Sequence, residues 1–345
     1  MNQGFKEFLN LSNQDRQDVF EAEAERLDTL PTYVEKDFWV CLTINILYNA
    51  LPEGCPRLLF KGGTSLSKAY QLIERFSEDV DFTVFREDLG FEGDKDPTKV
   101  GGKRRRRLSE ELKQATSDYI CNKLKNDLEN VAVTHSSECR VILDSEDTEQ
   151  STLLLHYPSL FMKDSEAYVQ PRVKLEGGGR SALDPYEIHT IQPFVANTFE
   201  DWNFAVPNVV TICPERTFWD KVMILHGWYC GYRDVNRLPT DRQRLSRHYY
   251  DVAMIYKAER GKAAVKDSNL REDVRQHTIK FFNRAWMNLE TAVPGSLRLV
   301  PKNKLLKTLQ NDYQAMQGMM LGTAPGFEEI VVELSRLESE INEQS

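Results

Sequence analysis

The chain has 345 residues, 41% hydrophobic and 28% charged, with 44 Lys and Arg against 53 Asp and Glu for a formal net charge of −9. That is an ordinary globular composition with enough apolar residues for a buried core, and the length admits two domains or one elaborated domain. No apolar run approaches the roughly 20 residues that span a bilayer, and the opening MNQGFKEFLNLSNQDRQ lacks the basic-then-apolar pattern of a secretory leader, so a cytoplasmic protein with no membrane partner is expected.

Residues 1–29 read as a mostly helical segment. Thr32 to Asp37 then opens the apolar helix FWVCLTINILYNAL, which Pro52, Gly54 and Pro56 break. Arg57 to Lys61 reads as a short strand, and Gly62-Gly63 as a turn into a helix. Leu66, Ala69, Tyr70 and Ile73 follow the i, i+3, i+4, i+7 spacing of one helical face. Asp79 to Phe85 is the next strand. Residues 86–106 read as a polar loop and 108–129 as helix. VAVTH, CRVIL, STLLLHY and PRVKLEG read as short strands, and the chain is strand and loop to about residue 204. From Pro214 it reads as helix to the acidic, amphipathic FEEIVVELSRLESEINE. The expected architecture is an α/β (α+β) sheet domain over 30–204 followed by a mostly helical domain over 205–345.

Six cysteines form no CxxC pair and six histidines no HExxH, so neither a zinc site nor a disulfide framework is indicated. Two basic stretches stand out in an acidic chain: Lys103-Arg104-Arg105-Arg106-Arg107, and YRDVNRLPTDRQRLSR at 232–247. Each has the composition of a solvated face and equally of a local grip on a polyanion.

The strand DVDF puts Asp79 and Asp81 on one face and Val80 and Phe82 on the other, because side chains alternate with period two. Two carboxylates ~6 Å apart in a half-buried site repel by about 3 kcal/mol at an effective dielectric of ~20. Such a pair is either fully solvated, as on a strand edge, or balanced by cations. PRVKLEGGGR repeats the pattern, with Lys174 and Glu176 on one face and Val173 and Leu175 on the other. Three carboxylates from two strands would suit a hard cation such as magnesium, which keeps positions open for substrate phosphates. Upstream, strand, Gly62-Gly63-Thr64-Ser65, then helix outlines an anion site: glycine allows close backbone approach, and Thr64, Ser65 and Lys68 add donors. The same four residues also fit a plain turn with a helix cap. Neither GxxxxGK[ST] nor GxGxxG is present.

Gly62-Gly63-Thr64-Ser65-Leu66 followed by Arg75-Phe76-Ser77-Glu78-Asp79-Val80-Asp81-Phe82 resembles the first two motifs of the AbiEii/AbiGii-type nucleotidyltransferase toxins, within the DNA polymerase β-like superfamily. Glu215-Arg216-Thr217-Phe218-Trp219-Asp220-Lys221 resembles that family's third motif, with Asp220 where glutamate is common. Arg247-His248-Tyr249-Tyr250-Asp251 resembles its fourth, and Glu35-Lys36-Asp37 fits its pre-core helix. The resemblance spans about residues 30–256. It implies a mixed nucleotidyltransferase sheet with flanking helices. It implies an enzyme of abortive-infection or type IV toxin–antitoxin biology that uses an NTP, adds nucleotides to RNA such as the 3′ end of tRNA, and answers to a separately encoded antitoxin.

On that reading Asp79, Asp81 and Glu176 hold two magnesium ions. Gly62, Gly63, Thr64, Ser65 and Lys68 hold the triphosphate, Lys221 neutralises phosphate charge, and Asp251 completes the catalytic set. Lys221 has a plainer alternative, snorkelling beside the buried face of Phe218, Val222 and Leu225. Asp251 has another, an i−4 surface pair with Arg247. The arginines between 233 and 247 are expected to meet acceptor phosphates. Rival functions are the same chemistry on a protein or small molecule, and a catalytically silent module that only binds a partner.

Overall fold

The computed structural model describes residues 2–161, 170–199, 201–240 and 243–344. The chain divides into two units, Met1–Ala69 with Phe76–Ile212 and Tyr70–Arg75 with Cys213–Ser345.

The first unit opens with α1 (Gln3–Leu9), α2 (Asn13–Arg26) and α3 (Pro31–Asn49). Pro31 sits at the start of α3, where its missing N–H costs nothing, and residues 33–47 are buried throughout. A helix apolar on every side belongs inside a protein. Phe38 of α3 packs against Phe5, Phe8 and Phe20, with Phe8 at 4.7 Å between ring centroids. There follow β1 (Leu58–Lys61), α4 (Gly62–Lys68), β2 (Asp79–Val84), α5 (Gly102–Asp118), α6 (Lys125–His135), β3 (Arg140–Leu143), β4 (Thr152–His156), β5 (Arg172–Gly178), β6 (Tyr186–Ile191) and β7 (Val206–Ile212). The seven strands form one mixed sheet in the order β3-β4-β5-β2-β1-β7-β6. β2 is central. It runs antiparallel to β1 and parallel to β5. Val80, Phe82 and Val84 send one face of β2 into the core shared with α3.

Three sequence expectations change. The helix after the glycines ends at Lys68 rather than continuing through Ile73. Gln71 has a left-handed φ of 53°, which no α-helix accommodates, and residues 70–75 join the second unit. VAVTH is the last part of α6, not a strand. Leu128 and Ala132, four apart, are both buried there, and that packing outweighs the strand preference of its valines. The run Lys103 to Arg107 is helical from the start of α5, not loop.

The second unit contains α7 (Pro214–Val235), α8 (Ser246–Lys257), α9 (Glu259–Lys266), α10 (Ser268–Phe281), α11 (Asn303–Met316) and α12 (Phe327–Asn342). α7 starts on a proline and stops where Asn236 turns left-handed at φ 50°, a common helix terminator. α12 buries Phe327, Ile330, Leu334, Leu337 and Ile341, the three-and-four spacing of a single packed face. Among the described residues no helix is long and apolar enough to cross a membrane.

Candidate active site

β1 leads directly into Gly62, and β2 returns alongside it, pairing Lys61 with Asp81. Gly62 has a φ of +80°, and a Cβ there would lie 2.7 Å from the Asp81 carboxyl carbon and overlap one of its oxygens. Both facts demand glycine. The loop backbone therefore lies directly against the carboxylate. Thr64 and Ser65 are buried. Thr64 donates its hydroxyl to the Asp79 carbonyl and lies 2.9 Å from Ser77 Oγ. Ser65 donates to the Gly62 carbonyl at 2.8 Å. The Thr64 hydroxyl fastens the glycine turn to the start of β2, and the Ser65 hydroxyl closes the turn on itself.

Asp79 and Asp81 are half-buried, while Val80 between them and Phe82 are fully buried. In the β2–β5 ladder Asp79 stands opposite Lys174, and Asp81 opposite Glu176. Side chains of paired positions share a face, so this face carries three carboxylates and, with Lys61, two ammonium groups. Glu176 forms an ion pair with Lys174. Among the described residues no group of three or more His, Cys, Asp or Glu is gathered as a metal site. Two carboxylates on one strand, beside the side-chain-free backbone of Gly62, fit a hard divalent cation that keeps room for phosphate.

The charged triplet at the start of α3 reaches the residue just before β2 and the segments after β4 and β6. Lys36 pairs with Glu78, next to Asp79. Glu35 accepts from the Ser159 hydroxyl and from the Leu160 N–H, and burial pushes its carboxyl up from the ordinary value. Asp37 accepts the Phe194 N–H at 2.7 Å and pairs with Lys68. The Lys68 ammonium also sits 3.6 Å above the Phe194 ring. Lys68, assigned to phosphate by the sequence reading, is thus spent on a buried aspartate. Only the oddity of EKD at the head of an apolar helix could have signalled this network.

In the second unit Lys221 of α7 and Asp251 of α8 come together. Asp251 is fully buried, with Oδ1 accepting from Arg75 Nε at 2.8 Å and Oδ2 from Arg75 Nη2 at 2.8 Å. Lys221 Nζ is 3.0 Å from Oδ2 and 3.2 Å from His248 Nδ1. Burial works against the Asp251 charge, but Arg75 and Lys221 hold the carboxyl well below its usual range. Burial, then Lys221 and Arg247, keep His248 neutral, so its Nδ1 accepts from the ammonium. Lys221 is only 6% exposed and does not snorkel. Asp251 is held by a buried network around Arg75 and Lys221, where the sequence also allowed a surface pair with Arg247. Arg75 and His248 are the members that sequence reasoning missed.

Of the other singled-out residues, Trp219 is core and donates its indole N–H to the Ala264 carbonyl. Arg233 pairs with the adjacent Asp234, and Arg237 lies 4.7 Å from the centre of the Trp286 ring. Arg242, also in the predicted acceptor stretch, lies outside the described residues.

The family model for the nucleotidyl transferase AbiEii toxin of type IV toxin–antitoxin systems matches residues 45–333. That span takes in the glycine turn, both β2 aspartates, Glu176, Lys221 and Asp251, and leaves out the α3 triplet. No curated protein matches the chain. Among solved structures it is similar to MenT4, a nucleotidyltransferase toxin from Mycobacterium tuberculosis H37Rv, at 13% identity and a TM-score of 0.34, covering 86% of this chain and 98% of that one.

Proposed function

This chain belongs to the AbiEii family, the nucleotidyl transferase toxins of type IV toxin–antitoxin systems, and from that premise we propose that it transfers a nucleoside monophosphate from an NTP to RNA, with the 3′ end of tRNA as acceptor. The setting we propose is cytoplasmic: an abortive-infection defence against phage, held in check by a separately encoded antitoxin. The observation that carries the site assignment is the Gly62 contact. The Gly62 backbone pressed against Asp81 with no side chain between them supports a triphosphate held next to a metal at this carboxylate.

Asp79 and Asp81 would hold divalent magnesium, two ions with Glu176 as the third carboxylate, and the metal would supply charge neutralisation of the triphosphate and a more acidic acceptor hydroxyl. The backbone N–H groups of Gly62 and Gly63 would bind phosphate oxygens. Thr64 and Ser65 support them indirectly, since their hydroxyls fix the turn. Lys221 contributes a cation matched to phosphate charge, and Asp251 keeps that cation ionised in a buried setting. The acceptor oxygen bonds to the α-phosphorus, the bond to the bridging oxygen breaks, pyrophosphate leaves and the hydroxyl proton passes to solvent. Catalysis of this kind is mostly positioning and charge stabilisation.

The test is incubation of purified protein with magnesium, total bacterial RNA and each α-labelled NTP in turn. Label in an RNA band supports the reading and names the nucleotide. Label on protein instead would move the acceptor to a polypeptide hydroxyl.

A further inference from the structure

Lys103 to Arg107 form the first two turns of α5, with Lys103, Arg104, Arg106 and Arg107 exposed and Arg105 half-buried. The first turn has no acidic residue and Gly101 supplies no side-chain cap. The helix's own acids, Glu110, Glu111 and Asp118, come later. This order opposes the helix dipole, which favours acids at the N-terminal end. It also sets like charges three and four residues apart, where they repel. Little inside the chain relieves the charge. Arg104 donates to the Asp94 carbonyl at 2.9 Å, and Arg107 lies 3.4 Å from the exposed Glu111 carboxylate. Among the described residues Lys103, Arg105 and Arg106 have no carboxylate partner. A local arrangement that works against its own helix, in a chain of net charge −9, points outside the molecule for its explanation.

We propose that this face of α5 docks the phosphate backbone of the RNA acceptor. The proposal rests on RNA being the acceptor in the reading above. Four of the five cations are arginine, whose planar fork matches phosphate oxygens and stays charged. A membrane surface is disfavoured because interfacial helices set apolar side chains beside their cations, and here the nearby Leu108 and Leu112 are buried. An acidic protein surface would use the same charge, and the experiment separates it.

The measurement is fluorescence anisotropy of a labelled RNA carrying a duplex and a single-stranded 3′ end, titrated with the full chain at 50 to 200 mM salt. The variant is Arg104→Gln/Arg106→Gln/Arg107→Gln. Each phosphate contact adds about 0.7 to 0.9 to the log–log salt slope. Loss of three contacts lowers the slope by roughly 2 to 3, so the wild type should lose about 20- to 40-fold more affinity than the variant across that range. Magnesium–NTP affinity by calorimetry is expected to be unchanged, which also reports that the variant is folded. An unchanged slope overturns the proposal, as does a wild type that does not bind RNA. It is overturned too if the variant loses affinity for an acidic peptide while keeping its RNA slope. Transfer to RNA with an unchanged slope would sink the docking surface and leave the enzymatic reading standing. A patch-dependent slope without transfer would do the reverse.

Discussion

Asp251 separates a buried charge network from a surface ion pair more sharply than any other residue. Its two oxygens are occupied by Arg75 and Lys221, and no part of it reaches solvent. A residue so enclosed positions Lys221 rather than binding metal. Removing one charge from such a cluster leaves the others buried and uncompensated, which costs about 3 to 5 kcal/mol. Asp251→Asn should therefore lower the unfolding free energy by that order, while a change at an exposed position of the same helix, Lys257→Ala, should stay within about 0.5 kcal/mol as surface changes do. Denaturant titration of the two variants measures both. Equal, small effects would return Asp251 to the surface-pair reading. The sequence could name Lys221 and Asp251 through motifs, but Arg75 lies 176 positions from Asp251, and nothing local in RFSEDVDF marks its partner.

At the scale of elements, α4 and β2 are held together by short contacts that a strand–turn–helix pattern makes visible. The period-two alternation placed Asp79 and Asp81 on one face, and β2 has that pattern. The pairing of β2 with β5, and so the neighbourhood of Asp81 and Glu176, followed from no local signal, because 95 residues separate the two. Lys68 shows the same limit. Its place one turn beyond the glycines pointed to phosphate, yet a partner on α3 claims it. Lys68→Met should cost about 3 kcal/mol or more of stability, since Asp37 would be left buried without its counter-ion. Affinity for magnesium–NTP in the folded fraction should not change. A variant of normal stability and weakened NTP binding would restore the phosphate role. The end of α4 and the helical VAVTH were illegible for a related reason: tertiary packing decided each against local preference.

For the whole molecule, stability against acid depends on buried groups that fold uncharged. His226 of α7 is buried, and its Nδ1 accepts the Arg298 N–H at 3.1 Å while Nε2 lies 3.1 Å from Thr291 Oγ1. Burial lowers its pKa to about 4, from an unfolded value near ~6.5. The unfolded chain therefore takes up the proton first. The stability tied to His226 is complete above pH ~6.5 and is lost as pH falls toward ~4, by roughly 3 kcal/mol at most. Unfolding measured from pH 7 to 4.5 should show a shallower decline in His226→Asn than in the wild type. Parallel curves would mean that His226 is not a source of acid sensitivity. The broad division into a sheet followed by helices was readable from strand-like and helix-like stretches. The return of residues 70–75 to the helical unit was not, because it depends on a single left-handed residue and a buried arginine.

The most direct test of the central claim is the single-turnover rate of label transfer from an α-labelled NTP to RNA by the wild type and by Asp79→Asn/Asp81→Asn. The account predicts a fall of about 10³-fold or more, with the thermal unfolding transition retained. A double variant that transfers label at the wild-type rate would contradict it, because the face of β2 would then hold no part of the chemistry.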